Sequence, residues 1–498
     1  MKELIRAKCF MEERVTMEKL FYKPEHAWVG DLIPYWEDGI FYGFYLHDPR
    51  IKDKEYAEET TWHLVTTKDF VNLEYKGEAI ERGGDDKPNK NIYTGSVIKD
   101  KDGIYHAFYT AFNADIKING KSVQSVMQAT GTDPLHLETM EDFLFVADGV
   151  RYEEFDWRDP YVFWNEEEGC YYMLLAARQK DGGQLRGGCV ALCKSEDLTH
   201  WTYEEPFYAP DMYVTMECPE VFRMGDYWYL VYSTFSDRFT THYRISKSLK
   251  GPWRIPDDDV FDTRADYAIK TASDGTRRYA FGWIASKYGN RDFGPWEWGG
   301  TMVFHELVQE EGTGELKVRA VPALREFYSR EFPRRPVTIY NGKAEEKENA
   351  VSLASETLGA ALYEIPKDCF SVEMDIHVEE AFEFGVALHV DAKMERGYFL
   401  KMNERRGEVA WDMWPRSEQG AYQWQIKGDV PYQVETARML PRTKDYHILI
   451  VREEDICIVY INDEVALSTR MYDHKGGYAG IYVIQGNVKM SNYVVKTR

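Results

Sequence analysis

Three short stretches set a carboxylate beside strand-like sequence: Asp31 in Ala27-Trp28-Val29-Gly30-Asp31-Leu32-Ile33, Asp159 in Arg158-Asp159-Pro160, and Glu217 in Glu217-Cys218-Pro219-Glu220-Val221-Phe222. Splitting a glycosidic bond takes one carboxyl group that donates a proton and a second, ionised one, both flanking the sugar. This residue set therefore points to carbohydrate cleavage. Arg158, with its planar fork of donors, suits a role in binding sugar hydroxyls or orienting a neighbouring carboxylate.

Acids so far apart in sequence need a scaffold that brings them together, and the chain carries a repeat that does so. An apolar segment recurs around Phe44, Phe108, Leu174, Val231 and Phe281, at spacings of 64, 66, 57 and 50 residues. The first four are each followed by a turn-like element: Thr67-Lys68-Asp69-Phe70, Gly131-Thr132-Asp133-Pro134-Leu135, Ser195-Glu196-Asp197-Leu198 and Ser246-Lys247-Ser248-Leu249. Two coupled periodicities of this length indicate antiparallel four-stranded blades that pack radially. The expected fold class is all-β: a five-bladed β-propeller over residues 21–335, then a β-sandwich over residues 336–498, with residues 1–20 as an N-terminal extension. Asp31 would open blade one, Asp159 blade three and Glu217 blade four. The cluster Glu331-Phe332-Pro333-Arg334-Arg335-Pro336 reads as the linker. Beyond it, segments such as 370–376, 384–390, 446–451 and 456–461 alternate apolar with polar residues as sandwich strands do.

Composition narrows the partners. The chain has 498 residues, a formal charge of −23 and 15% aromatic residues. Such an excess of negative charge repels phosphate backbones and anionic lipid, so neither nucleic acid nor membrane is expected as a partner. The aromatic content suits sugar stacking as well as core packing. Trp28, Trp62, Trp283, Trp296 and Trp298 lie near the expected mouth, the last two in the Gly- and Pro-containing run 293–300. Seven cysteines without CxxC spacing suggest free thiols rather than a disulfide framework or a zinc site, and no metal or cofactor is expected. The start of the chain lacks the continuous apolar core of a secretory signal, which gives a cytoplasmic expectation. The sandwich offers a surface through which a homo-oligomer could form.

In their order and on this repeat, the three motifs resemble glycoside hydrolase family 32, the β-fructofuranosidases that include invertases, levanases and inulinases. The stretches Trp157-Arg158-Asp159-Pro160 and Glu217-Cys218-Pro219 carry the likeness. Weaker matches at Tyr93-Thr94-Gly95-Ser96, Asp266-Tyr267-Ala268, Phe281-Gly282-Trp283-Ile284 and Ile461-Asn462-Asp463 extend it across the chain. The resemblance implies a retaining, exo-acting enzyme that releases terminal fructose, with Asp31 as nucleophile, Glu217 as general acid/base and Asp159 as transition-state stabiliser. It places Arg158, Ser96, Cys218, Asp266 and Trp283 at the substrate. The chain departs from the family at its first motif, where Trp28-Val29-Gly30-Asp31-Leu32-Ile33-Pro34 stands for the usual Trp-Met-Asn-Asp-Pro-Asn-Gly, so the wall beside Asp31 differs. Three alternatives stay open: an inverting furanosidase of the arabinanase or xylosidase type, a fructosyltransferase, and a non-catalytic sugar-binding propeller.

Overall fold

The computed structural model describes residues 19–51, 58–118, 120–415 and 432–498, and its described elements are strands apart from one short helix, Pro322–Phe327. The expected extension at residues 1–20 falls almost wholly outside the described residues. Leu20 is described, and it packs with Phe21 and Tyr22 into the core.

Each repeated apolar segment is the second strand of an antiparallel sheet. The first sheet runs Trp28–Glu37, Ile40–Asp48, Thr61–Thr67, Leu73–Ile80, and the next Asn91–Lys99, Tyr105–Ile118, Lys121–Asp133, His136–Thr139. A third is Tyr152–Asn165, Cys170–Gln179, Gly188–Ser195, Thr202–Tyr203. The fourth, Glu217–Met224, Tyr227–Thr234, Thr240–Ser246, has three strands where four were expected, and isolated bridges of Ile245 with Arg254 and of His242 with Val260 stand in for the outermost. The last set, Asp266–Ser273, Arg278–Lys287, Trp296–Gln309, Leu316–Arg319, joins the first through the pairing of Val29 with Gly300.

Turn chemistry explains these hairpins. Asp38 and Gly39 both hold positive φ (50° and 77°) between the paired Glu37 and Ile40, the two-residue turn whose twist matches antiparallel strands. The second recurring element is a hydroxyl-capped turn. The Phe70 N–H donates to Thr67 Oγ1 at 2.8 Å, and Leu198 repeats the bond to Ser195 Oγ at 2.9 Å. Between successive sheets lie apolar clusters, such as Ile33, Phe44, Trp62 and Tyr109, then Phe108, Trp157 and Met173.

The five leading strands lie side by side, each against the next and Asp266–Ser273 against Trp28–Glu37. All five pairings with the neighbouring strand are interrupted by a register shift near the start: at Val29/Leu32, Ile92/Gly95, Arg158/Tyr161, Glu217/Glu220 and Tyr267/Lys270. Bulges of this kind re-aim side chains and gather at active sites. Within them Asp159, Cys218 and Ala268 adopt left-handed φ of 57°, 49° and 54°.

Among the described residues, strands from Arg330–Glu331 to Tyr478–Thr497 form one thirteen-stranded sheet system around a separate core of residues such as Val372, Leu400, Trp411 and Ile450. The two segments expected at 370–376 and 384–390 are one long strand, Phe370–Val390, interrupted only by register shifts. Arg330–Glu331 already pairs with the C-terminal strand Tyr478–Thr497, so the chain crosses between its two parts before the proline cluster expected to link them. Buried arginines stitch the parts together. Arg438 donates to the Phe261 carbonyl at 2.9 Å, and Arg470 donates to the carbonyls of Ala285 and Ile284 at 2.6 and 2.8 Å.

Candidate active site

The bulges bring Asp31, Asp159 and Glu217 into one hydrogen-bonded group. Asp31 Oδ1 accepts the indole N–H of Trp283 at 2.9 Å, and Oδ2 accepts the Thr94 hydroxyl. The Cys218 thiol lies 3.7 Å from the same oxygen. One residue earlier, Glu217 Oε1 accepts from Arg158 Nη2 at 3.1 Å and Oε2 from the Tyr267 hydroxyl at 2.6 Å. Asp159 sits between them: its Oδ2 accepts the Cys218 backbone N–H at 2.9 Å, and its own N–H donates to Thr110 Oγ1 at 2.8 Å. Arg158 is further held by Gln124, Thr215 and Asp156.

These surroundings set the acids apart. Burial pushes the Asp31 carboxyl up, the Asp159 charge adds to this and the bonds from Thr94 and Trp283 pull back, leaving it at about 6. Glu217 is also raised: burial lifts it, Arg158 draws it down, Asp159 lifts it and Tyr267 draws it down. Interacting carboxylates beside one guanidinium resist ionising together, so Asp31 and Glu217 each hold a proton to higher pH than in water, in the direction acid/base chemistry requires.

The walls differ from expectation at several points. Trp283 is fully buried and grips Asp31 rather than offering an open face. Trp62, expected at substrate, is buried in the core and donates to the Tyr93 carbonyl at 3.0 Å. Ser96 accepts the Val162 N–H at 2.9 Å and so serves strand contact instead. Asp266 is sealed in beside His305, away from the acids, while its neighbour Tyr267 reaches Glu217. Cys218 is buried with its thiol on Asp31. The Trp28 indole carries Lys23 and Arg50 at 4.1 and 4.7 Å from its ring centre, which commits it to cations of its own chain. Trp296 and Trp298 are partly exposed, but both lie in the strand Trp296–Gln309 rather than in the loop that the Gly- and Pro-containing run 293–300 suggested. Thr94, Tyr267 and Thr110 are the residues sequence reasoning passed over. Two of them lie inside stretches it had singled out, one or two positions from the residue chosen.

Trp298 explains the unusual first motif. A Cβ at Gly30 would fall on the Trp298 indole, whose ring centre lies 5.7 Å from that of Trp283. The glycine before Asp31 thus leaves room for an aromatic wall beside that acid.

Residues 22–318 match the family described as "Glycosyl hydrolases family 32 N-terminal domain". The chain belongs to glycosyl hydrolase family 32. Among the curated relatives of this family 32 chain is the sucrose-6-phosphate hydrolase of Escherichia coli, 24% identical over 90% of this chain and 88% of that protein. Among solved structures, the exo-inulinase of Aspergillus awamori superposes with a TM-score of 0.70 at 14% identity, covering 96% of this chain and 98% of that one. The sucrose-6-phosphate hydrolase of Lactobacillus gasseri gives 0.68 at 15%, covering 100% and 96%. As a family 32 protein the chain is a glycoside hydrolase.

One further cluster has metal-ligand chemistry. Donor atoms of Asp262, Asp266 and His305, all buried, lie within 4.8 Å of one another. His305 Nε2 is 3.2 Å from Asp262 and 3.1 Å from Asp266, and Nδ1 bonds the Tyr460 hydroxyl at 2.9 Å. Burial pulls the imidazole down, but the two carboxylates outweigh it and push it up to about 9. Protonated on both nitrogens, the ring is a cation bridging two anions. Among the described residues, no helix is long and apolar enough to cross a membrane.

Proposed function

We propose that this protein is a retaining, exo-acting β-fructofuranosidase that releases terminal fructose from sucrose, fructo-oligosaccharides or a related fructoside. The observation that carries the assignment is the unequal dressing of two carboxylates brought to one place: Asp31 accepts only uncharged donors, whereas Glu217 is held by a cation and a phenol. Glu217 gives its proton to the glycosidic oxygen as the Asp31 carboxylate attacks the anomeric carbon. The leaving alcohol departs and a fructosyl ester remains on Asp31. Glu217, now ionised, takes a proton from water, the water oxygen attacks the same carbon, and Asp31 is released. Asp159 supplies a fixed negative charge and an acceptor beside the oxocarbenium-like transition state. Arg158 orients Glu217.

The scaffold for this chemistry is a five-bladed propeller expected over residues 21–335 but ending before Arg330, and a sandwich that takes in the chain from Arg330 onward. Five mutually adjacent leading strands support that count, the first and last blades being joined by the Val29–Gly300 pairing. The exo preference draws on the relatives, which include the exo-inulinase of Aspergillus awamori. A cytoplasmic setting is supported by the free thiols at Cys170, Cys189, Cys193, Cys218, Cys369 and Cys457.

The test is incubation with sucrose, inulin and levan, with NMR of the first anomer released. Free fructose appearing as the β-furanose from all active substrates is expected. An inverted anomer would support a single displacement by water, and oligomeric products from inulin would overturn the exo assignment. Asp31→Asn should abolish turnover, and Glu217→Gln should lower kcat about 10²–10⁴-fold.

A further inference from the structure

The leading strand of the third sheet differs from the other four, whose pairing with the next strand carries one register shift each. Besides the shift at Arg158/Tyr161 it has a second, where Tyr152–Trp157 lies against the shorter segment Ala177–Gln179. Asp156 belongs to that extra length. Its Oδ1 accepts from Arg158 Nη1, while Glu217 Oε1 accepts from Arg158 Nη2 at 3.1 Å. Two carboxylates thus hold the two terminal nitrogens of one guanidinium. The side chains of Arg158, Asp156 and Glu217 are 12%, 15% and 21% exposed, so solvent screens their charges weakly.

The other charges around this trio come from separate elements. Asp159 Oδ2 is 3.9 Å from Arg158 Nε. On the neighbouring strand Cys170–Gln179, Arg178 Nε lies 3.7 Å from Asp156 and 3.4 Å from Glu153, and its terminal nitrogens donate to the carbonyls of Val214, Gly183 and Gln184. Gln124 and Thr215 give Arg158 uncharged acceptors at 3.1 and 3.3 Å. Beyond Glu217 stand the Tyr267 hydroxyl and the Asp31 carboxyl. Three carboxylates therefore share Arg158, and the mechanism leaves Asp156 without a role. A guanidinium bonded to a second carboxylate stabilises the first one less, and the second anion repels the first directly. Without Asp156, the pull of Arg158 on Glu217 would be less opposed, and the acid would ionise at lower pH. We propose that Asp156 is a positioning residue for the acid: it fixes Arg158 by the other terminal nitrogen and takes up part of its charge, so that Glu217 keeps its proton for the glycosidic oxygen. The use of that proton rests on the fructosidase reading above.

Asp156→Asn keeps an acceptor for Arg158 and removes the charge. The falling limb of kcat/KM on sucrose should move down by about one pH unit, with activity above it about tenfold lower. The rising limb should move less, since Asp31 is held by Thr94 and Trp283. Asp156→Glu, which restores the charge, should return the falling limb toward its wild-type position. Gln124→Glu puts a further negative charge on Arg158 Nη1 and should move the same limb up, a test that stands even if the asparagine variant does not fold. Infrared difference spectra follow the proton without turnover, the Glu217 carboxyl band being the one lost in Glu217→Gln. A limb and a band that stay in place in both Asp156→Asn and Gln124→Glu, even with kcat reduced, would show that Asp156 merely braces the strand and would overturn the proposal. Shifts of the opposite sign would overturn it too. Wild-type protein that cleaves no fructoside would instead sink the fructosidase reading, and the band would still decide whether Asp156 governs the proton on Glu217.

Discussion

At the level of single residues, the site works through what each carboxylate accepts. Asp31, near 6, must be ionised to attack, so kcat/KM should rise through about pH 6 and fall again as Glu217 loses its proton. The Tyr267 hydroxyl stabilises the Glu217 anion and so draws its pKa down. Tyr267→Phe is therefore expected to move the falling limb to higher pH and leave the rising limb in place. A pH profile in which both limbs are unmoved would show that the phenol does not tune the acid. Asp159 can be tested separately. Asparagine keeps an oxygen for the Cys218 N–H and tolerates the left-handed backbone at φ 57°. Asp159→Asn should thus lower kcat with a melting temperature close to that of the wild type, because the charge and not the shape is lost.

At the level of elements, the bulges at the head of each leading strand do the positioning. A regular strand alternates its side chains between two faces, and one extra residue re-aims them. This is why Asp31, Thr94, Asp159, Cys218 and Tyr267, each within or beside a register shift, converge on one group. Gly30 belongs to the same device, since it leaves room for Trp298 against the first strand. Gly30→Ala should displace that indole, destabilise the fold by about 1–3 kcal/mol as overpacking does, and reduce activity. Thermal unfolding and kinetics of the variant check both effects. Retained activity would show that the Trp298 wall is not needed for catalysis.

At the level of the whole molecule, the C-terminal part is bound to the catalytic part through buried polar groups. Arg470 holds the carbonyls of Ile284 and Ala285, immediately after the Trp283 that grips Asp31. His305 lies between Asp262 and Asp266 and meets Tyr460, and Asp262 accepts the Ser468 N–H and hydroxyl at 2.7 and 2.6 Å. The folded His305 titrates near 9, above the unfolded value of about 6.5, so its contribution is full below pH ~6.5 and is lost as pH rises through 9. Replacing it strands two buried carboxylates. His305→Gln should cost about 3–5 kcal/mol near neutral pH, with the gap from wild type narrowing above pH 9 in denaturant titrations.

The sequence by itself determined the repeat, the three acids and the family they resemble. Strand periodicity and hydroxyl-capped turns are local, so they are written in neighbouring residues. It also located the stretches that build the pocket walls, yet it singled out Ser96 and Asp266 where the structure uses Thr94 and Tyr267. Side-chain direction in a strand flips with each residue and again at a bulge, and no local pattern marks where that bulge falls. The same holds for Trp62, whose aromatic ring fits a core and a sugar face equally well in composition. Tertiary structure alone decided that Trp298 fills the space at Gly30 and that Arg158 and Tyr267 dress Glu217. Those contacts join segments 50 residues apart or more, and their energy exists only once the sheets have packed.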